Sequence, residues 1–290
     1  MLPGMAGNLR VAIVGAGKLG TVLAISLRRA GFPIDAVIAR ARGESLKKAK
    51  KLAMQVGGRA LVSAENLRAD LAWFCVPDSE IAAAAHDFAP QGSWKDRIVF
   101  HSSGALSSDE LDSLRAAGAS VASVHPLMTF VRNSRPSFAG VPFAIEGDSR
   151  AVRVARRVVR TLGGESFAIR KQDKAAYHAW GTFASPLLTA LLATSERVAG
   201  LAGVNRASAR RRMTPILIQT VANYAAFGGA DAFSGPLIRG DVDTIRRHLQ
   251  VLRKLPAARD VYMALARAAL DSLPVKNRVA LKRMLRPSKD

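Results

Sequence analysis

The sequence predicts an α/β protein in which a doubly wound sheet is followed by an all-helical domain. In the first half of the 290-residue chain, short β-branched apolar segments alternate with segments of helical pattern. This alternation favours a parallel sheet flanked by helices. From about Lys171 onward, long segments rich in alanine and leucine follow with no convincing strand. We therefore expect one domain over residues 1–170 and a helical domain over residues 171–290.

Eight short apolar segments are expected to form the strands, because each is rich in β-branched or aromatic residues and is bounded by turn formers. Helices are expected between most of them. The segment Ser107–Ala117 opens with a capping serine, and Arg150–Arg160 has the mixed valines and arginines of an amphipathic helix. The predicted strands are Leu9–Val14, Ile34–Ala39, Arg59–Val62, Leu71–Val76, Arg97–His101, Ser120–Val124, Val141–Glu146 and Glu165–Ile169.

The first predicted strand leads directly into a glycine motif at residues 15–20, which precedes a helical pattern. This order is typical of a dinucleotide-binding turn. Gly15 permits the tight turn, Gly17 lets the backbone approach a pyrophosphate, and Gly20 lets the helix pack close to the strand. The N–H groups at the helix start would hold the phosphates, together with Lys18 and Leu19 of the motif. The alternative is a glycine-rich turn with no ligand.

The end of the second predicted strand indicates which cofactor binds. An NAD-selective site commonly has an acidic residue there, which bonds the ribose 2′-hydroxyl. Arg40 takes that place here and Arg42 follows, whereas Asp35 lies at the start of the strand. Guanidinium groups suit the 2′-phosphate of NADP. The sequence therefore predicts NADP(H), with ordinary surface arginines as the alternative.

The chain is strongly basic, with a formal net charge of +21. Such an excess attracts polyanions, so nucleic acid must be considered. The basic residues are scattered, however, and aromatic residues do not alternate with them. We therefore expect no specific nucleic-acid partner. We also expect no metal site.

Two segments without acidic or basic residues, Ala175–Ser195 and Met213–Ala230, raise the question of a membrane. Each contains polar residues and a proline, so neither is as uniformly apolar as a spanning helix. We interpret them as helices buried on most sides, within a domain or between two copies of the chain. The N-terminus lacks a signal-peptide pattern, and the single cysteine, Cys75, excludes an intrachain disulfide. We expect a cytoplasmic protein.

Polar residues follow three predicted strands at the edge where ligands of a doubly wound sheet bind. The same residue types also favour ordinary turns. We expect cofactor contacts from Val76, Pro77 and Ser102, and substrate contacts from His101, Ser103 and His125.

Lys174 and His178 lie four residues apart and so share a helix face. A reductase needs a proton donor beside the carbon that accepts hydride, and histidine or a desolvated lysine can supply the proton. We expect these two to be the catalytic residues; the alternative is a lysine at a domain rim and a histidine satisfied within a helix bundle. Arg239 could bind a substrate carboxylate or only close its loop, and Asp241 is expected to cap the next helix.

These motifs together resemble the Rossmann-like family with a C-terminal domain of unknown function, number 2520. That family is similar in plan to the 6-phosphogluconate dehydrogenase-like and β-hydroxyacid dehydrogenase superfamily. The motifs are the glycine motif, Val76-Pro77-Asp78, His101-Ser102-Ser103-Gly104-Ala105-Leu106, His125-Pro126-Leu127, Lys174 with Tyr177-His178, and Ser234-Gly235-Pro236 with Arg239-Gly240-Asp241.

The resemblance implies a Rossmann sheet followed by an all-α domain like the C-terminal domain of 6-phosphogluconate dehydrogenase. It also implies a catalytic lysine near the start of the first long helix between the domains, with an amide or imidazole one turn later, and Lys174 and His178 match that layout. It further implies a homodimer whose helical domains interlock. One departure is Ser185-Pro186, where the family commonly reads Ser-Asn.

The sequence thus predicts an NADP(H)-dependent oxidoreductase. It would transfer hydride to or from a small, anionic carbonyl or imine substrate. The competing hypothesis is a non-catalytic sensor or scaffold protein that binds the dinucleotide and changes partners.

Overall fold

The computed structural model describes residues 9–40, 42–131 and 136–286. The chain divides into two compact units, Met1–Thr182 and Phe183–Asp290. Residues 171–182, which the sequence places in the helical domain, are grouped here with the first unit.

The first unit is built on one eight-stranded sheet in the order β3-β2-β1-β4-β5-β6-β7-β8. Each strand coincides with a predicted one, so the predicted α/β architecture is confirmed. The order reverses beside β1, and the carboxyl ends of β1 and β4 therefore flank the crevice in which doubly wound sheets bind ligands. The strands are β1 Val11–Val14, β2 Ile34–Ile38, β3 Arg59–Leu61, β4 Leu71–Phe74, β5 Ile98–His101, β6 Ser120–Pro126, β7 Pro142–Gly147 and β8 Glu165–Ala168.

One pair of strands departs from the predicted parallel sheet. β6 and β7 run antiparallel, with Val124 opposite Ile145. A parallel neighbour needs a crossover connection, usually a helix. The described part of the connection, residues 127–131 and 136–141, contains no helix. The chain therefore returns beside β6 in the opposite direction.

Helices cover both faces of the sheet. Leu27 and Val158 pack with Trp73 on one face, and Phe88 and Leu114 pack with Phe74 on the other. Short 3₁₀ turns at Asp78–Glu80, Ser108–Leu111 and Lys171–Asp173 precede three of the helices. The helices of this unit are α1 Lys18–Arg29, α2 Glu44–Val56, α3 Ile81–Phe88, α4 Asp112–Ala116, α5 Ser149–Thr161 and α6 Lys174–Thr182.

Local sequence explains two of these helices as predicted. Ser107 precedes the turn that leads into α4, and its hydroxyl accepts a hydrogen bond from the Asp109 amide. In α5 the alanines and valines at positions 151, 155, 158 and 159 are buried. The arginines at 153, 156, 157 and 160 are exposed, as an amphipathic helix requires.

The described residues of the second unit form helices joined by short loops, with no strand. Its core contains Ile245, Leu249, Met263 and Leu270. Its first segment, Phe183–Leu187, is a π-helical turn that contains Pro186. The helices are α7 Leu188–Gly200, α8 Arg206–Ala232, α9 Pro236–Arg239, α10 Val242–Leu252, α11 Pro256–Ser272 and α12 Arg278–Met284.

One expectation for a helical region is corrected, and one of two alternatives for another is excluded. Asp241 occupies the N-cap position of α10 but makes no capping hydrogen bond with its side chain, because its carboxylate binds Arg239. The two segments without acidic or basic residues are also not buried within the chain. Exposed apolar side chains there include Trp180, Phe183, Leu187, Leu188, Ile216, Ile218, Val221, Tyr224 and Phe227.

No helix in the described part of the chain is long and apolar enough to cross a membrane.

Candidate functional site

The turn between β1 and α1 has the backbone that the glycine motif predicts. Gly15 has a φ of +101°, which favours glycine, and an added Cβ there would lie 2.8 Å from the Cys75 carbonyl oxygen. A Cβ on Gly20 would lie 2.0 Å from the Gly15 carbonyl oxygen. Beside Gly17, by contrast, the nearest atom to an added Cβ is 3.9 Å away. Gly15 and Gly20 are therefore required by the turn itself, whereas Gly17 leaves its backbone open.

A cleft of about 480 Å³ opens beside this turn. Because parallel strands end at the same edge, the cleft brings together the glycine turn, the ends of β2 and β4, and the start of α2. The glycine turn and open cleft fit the pyrophosphate of a dinucleotide. The lining residues are Gly15, Ala16, Gly17, Arg40, Glu44, Ser45, Lys48, Cys75, Val76, Pro77 and Glu80.

Several residues that the sequence assigns to the cofactor lie outside this lining. Lys18, Leu19 and Gly20 form the first turn of α1, and Arg42 is exposed. The Ser102 hydroxyl accepts a hydrogen bond from Trp73 Nε1 at 2.7 Å.

The cleft also contains polar residues that the sequence analysis did not assign to it. Glu80 accepts a hydrogen bond from Arg40 through Oε1, and Lys48 Nζ lies 4.0 Å from Glu44 Oε1. Ser45 lies at the start of α2. Glu80 follows β4 and meets Arg40 after β2, and these strands are distant in sequence. The residues around Glu80 therefore do not predict that it lies in the cleft.

Ser103, just after β5, is the centre of a buried hydrogen-bond network. Its amide donates to His101 Nδ1 at 3.1 Å, and its hydroxyl donates to Asp78 Oδ2 at 2.7 Å. His101 Nε2 lies 2.9 Å from the Ser107 carbonyl oxygen. Because Nδ1 accepts, Nε2 carries the proton and donates to that oxygen. Burial lowers the pKa of His101 to about 4, so the ring is neutral near pH 7.

Lys174 begins α6 and is only 1% exposed. Its ammonium donates to Ser123 Oγ at 2.7 Å and to the Ser103 carbonyl oxygen at 3.1 Å. Burial lowers the pKa of Lys174 to about 8, although the charges of Glu146 and Asp78 oppose the shift. This side chain ties α6 to β6 and to the segment after β5.

His125, Tyr177 and His178 form a second cluster at the end of β6. His125 Nδ1 lies 2.8 Å from the Tyr177 hydroxyl, and the two histidine rings meet edge to face with centroids 6.1 Å apart. An added Cβ on Gly104 would lie 2.9 Å from His125 Nε2 and 2.7 Å from His178 Cδ2. Both imidazoles therefore converge on the Gly104 backbone, where a larger residue has no room.

Burial shifts the pKa values of His125 and Tyr177. Burial, followed by the charges of Lys174 and His178, lowers the pKa of His125 to about 4. Burial raises the pKa of Tyr177 to about 12. Near pH 7 the imidazole is therefore neutral and the phenol keeps its proton. The His178 ring is exposed and has no hydrogen-bond partner among the described residues.

Arg239 belongs to the second unit, at the end of α9. It is exposed, and its Nε donates to Asp241 Oδ2 at 2.9 Å. No group of three or more histidine, cysteine, aspartate or glutamate side chains within the described ranges could hold a metal ion.

Comparison with protein families assigns both parts of the chain. Residues 5–126 match the Rossmann-like domain, and residues 141–269 match the domain of unknown function DUF2520. The chain belongs to the DUF2520 family of Rossmann-like proteins. No protein of curated function matches the sequence.

Solved structures share the fold of this DUF2520-family chain along nearly its whole length. A Bacteroides fragilis protein provisionally described as an NADP oxidoreductase is 21% identical, with a TM-score of 0.75 over 91% of this chain and 98% of that one. An imine reductase from Pseudomonas sp. is 18% identical, with a TM-score of 0.63 over 95% and 99%.

A reductive aminase from Aspergillus terreus, solved with NADPH and ethyl-5-oxohexanoate, is 15% identical, with a TM-score of 0.66 over 96% of this chain and 99% of that one. These likenesses establish the fold.

Proposed function

We propose that this DUF2520-family chain is an NADP(H)-dependent oxidoreductase that transfers hydride to or from a small, anionic carbonyl or imine substrate. The observation that carries the proposal is the shared sheet edge. The glycine turn follows β1, the cleft reaches β4, and the histidine cluster follows β5 and β6. These four strands are consecutive in the sheet, so a dinucleotide in the cleft would extend toward the histidines. The NADP and imine chemistry of proteins with this fold supports the same reaction class.

The cleft supplies the groups that a dinucleotide needs. The open backbone at Gly17 and the start of α1 would bind the pyrophosphate. Arg40 and Lys48 would bind the 2′-phosphate of NADP, with the Ser45 hydroxyl as a further donor. Arg42 lies outside the cleft lining and has no part in this assignment.

A bound, reduced nicotinamide would be the source of the hydride, and the substrate oxygen or nitrogen would then need a proton from the protein. We assign that proton to His178, because its ring is exposed and converges with His125 on Gly104. His125, held by Tyr177, would orient the substrate from the other side through Nε2. Lys174 would position the Ser103–Gly104 backbone beneath both rings rather than touch the substrate.

His101 and Ser103 are assigned to support this backbone, since both are buried and bonded to protein groups. The net charge of +21 would steer anionic substrates toward the chain. We place the chain in the cytoplasm as a homodimer formed through its helical unit.

The test is NADPH oxidation with a panel of small keto acids and cyclic imino acids. We expect His178→Gln to lower kcat by about 100-fold or more while the Kd for NADPH stays within about twofold of wild type. His86→Gln, at an exposed histidine on α3, is the matched control and should keep wild-type turnover.

Two results would contradict the proposal. Full turnover after replacement of both Lys174 and His178 by alanine would remove the catalytic assignment. NADPH binding with no turnover of any panel member would favour the sensor or scaffold hypothesis instead.

A further inference from the structure

We propose that Glu80 weakens the preference of the dinucleotide cleft for NADP(H) over NAD(H). Its carboxylate accepts a hydrogen bond from the adenosine ribose of NAD(H) and opposes the additional phosphate of NADP(H), so that the cleft binds both cofactors. This inference rests on the proposed function, because it requires that a nicotinamide dinucleotide occupies the cleft.

Glu80 lies beside Arg40 in the cleft, but it follows a different strand. It ends the 3₁₀ turn Asp78–Glu80 after β4, whereas its partner Arg40 follows β2, and β1 lies between these strands in the sheet. Glu80 Oε1 accepts a hydrogen bond from Arg40 Nη1. The usual ribose ligand of an NAD site is an acid at the end of β2. Here the acid lies 40 residues further along the chain.

The second carboxylate oxygen of Glu80 points to a ligand. The side chain is 28% exposed, yet Oε2 is buried and has no hydrogen-bond partner among the described residues. A buried polar atom without a hydrogen-bond partner is energetically unfavourable. Because Glu80 lines the cleft, a rotation of its carboxylate would bring this oxygen to a donor on a bound ligand.

The two cofactors differ in what they offer to that oxygen. The ribose of NAD(H) carries hydroxyl groups that donate hydrogen bonds. The 2′-phosphate of NADP(H) replaces one of them with negatively charged acceptor oxygens, which a carboxylate repels. The same Glu80 oxygen therefore stabilises one cofactor and destabilises the other.

The charge balance of the cleft agrees with this division. Among the described residues, the lining contains two cationic side chains, Arg40 and Lys48, and two carboxylates, Glu44 and Glu80. The chain as a whole carries a net charge of +21. A cleft that bound only NADP(H) would be expected to carry a net positive charge as well. The paired charges instead moderate the preference that Arg40 gives to NADP(H).

The test is fluorescence titration of the full chain and of Glu80→Gln with NADPH and with NADH. Glutamine keeps an oxygen that accepts from Arg40 but removes the negative charge. We expect NADPH to bind about threefold more tightly and NADH about threefold more weakly, which shifts the ratio of the two Kd values about tenfold. The gain for NADPH should shrink at 1 M salt, since screening weakens the repulsion.

Glu165→Gln is the matched control. It removes one negative charge at an exposed position on β8, the edge strand far from β2, β1 and β4, and should leave both Kd values unchanged. A ratio within about twofold of wild type in Glu80→Gln would overturn the inference alone. So would weaker NADPH binding, because Glu80 would then serve to position Arg40. Failure of the wild-type chain to bind either nucleotide would overturn the proposed function together with this inference.

Discussion

Three glycines within six residues have different physical reasons to be glycine. Gly15 has a positive φ, and Gly20 faces the Gly15 carbonyl oxygen too closely for any side chain. Gly17 has neither constraint, since its φ is −75° and an added Cβ meets nothing nearer than 3.9 Å. The fold requires the first and third glycines, whereas the second leaves room for a ligand.

Gly20→Ala should lower the free energy of unfolding by about 2–4 kcal/mol, because its Cβ would collide with backbone rather than with a mobile side chain. Gly17→Ala should change it by less than about 1 kcal/mol. Urea unfolding of both variants measures the difference. Equal losses would show that the turn does not pack as described.

Lys174 gives the chain a specific pH dependence. Its pKa in the folded chain is about 8, against the usual 10.5. Between these values the unfolded state binds more protons than the folded state, so the free energy of unfolding should rise with pH. The rise from this group is about 3 kcal/mol.

In Lys174→Met that part of the rise should be absent. Urea unfolding of wild type and variant at a series of pH values from 7 to 10.5 measures the difference between the two curves. Parallel curves would contradict the lowered pKa.

The predictable site residues are those with a local signal. The glycine motif, the arginine after β2 and the i, i+4 pair of Lys174 and His178 can all be identified from neighbouring residues. The bonds of Lys174 to Ser123, of His125 to Tyr177 and of Glu80 to Arg40 join distant positions. No pattern in the sequence specifies such pairs, because they depend on strand order.

At the scale of elements, α5 shows how a strongly basic helix folds against an apolar sheet. One face carries buried alanines and valines, and the other carries solvated arginines. Burial of the apolar face, rather than charge pairing, should therefore stabilise the helix.

Val158→Ala should lower the free energy of unfolding by about 2 kcal/mol, because Val158 is fully buried. Arg157→Ala, at an exposed neighbouring position, should change it by no more than about 0.5 kcal/mol. Thermal or urea unfolding distinguishes the two variants. A larger loss at Arg157 would assign the stability of α5 to its charges.

Strands were predictable because a short apolar run between turn formers has few alternatives. The antiparallel pairing of β6 and β7 was not, since strand direction depends on the connection rather than on strand residues. Of the two alternatives for the segments without acidic or basic residues, burial within the chain is excluded and burial between two copies stays a prediction. Composition indicates that a helix needs an apolar environment, but not which molecule provides it.

For the whole molecule, the exposed apolar surface of α8 bears on whether the chain forms a dimer. It exposes large apolar side chains along much of its length, including Ile216, Val221, Tyr224 and Phe227. A contiguous exposed apolar surface of this kind commonly marks an interface. A second copy of the chain is the partner that we propose.

Wild type should therefore sediment as a dimer, and Ile218→Glu should sediment as a monomer, because a buried unpaired carboxylate is strongly unfavourable in an interface. Ile218 is 66% exposed in the single chain. Val279→Glu, at an 86% exposed position on α12, is the matched control and should remain dimeric. A monomeric wild-type chain would contradict the proposed assembly.

Calorimetric titration with NADPH tests the role of the β1–α1 turn most directly. If a pyrophosphate binds against this turn, wild type should show saturable single-site heat with a Kd in the micromolar range. Folded Gly17→Ala should bind about tenfold more weakly, because the new methyl group would occupy the space of the phosphates. Folded wild-type protein that shows neither heat nor a higher Tm with any nicotinamide nucleotide would contradict the proposed binding and the enzyme function built on it.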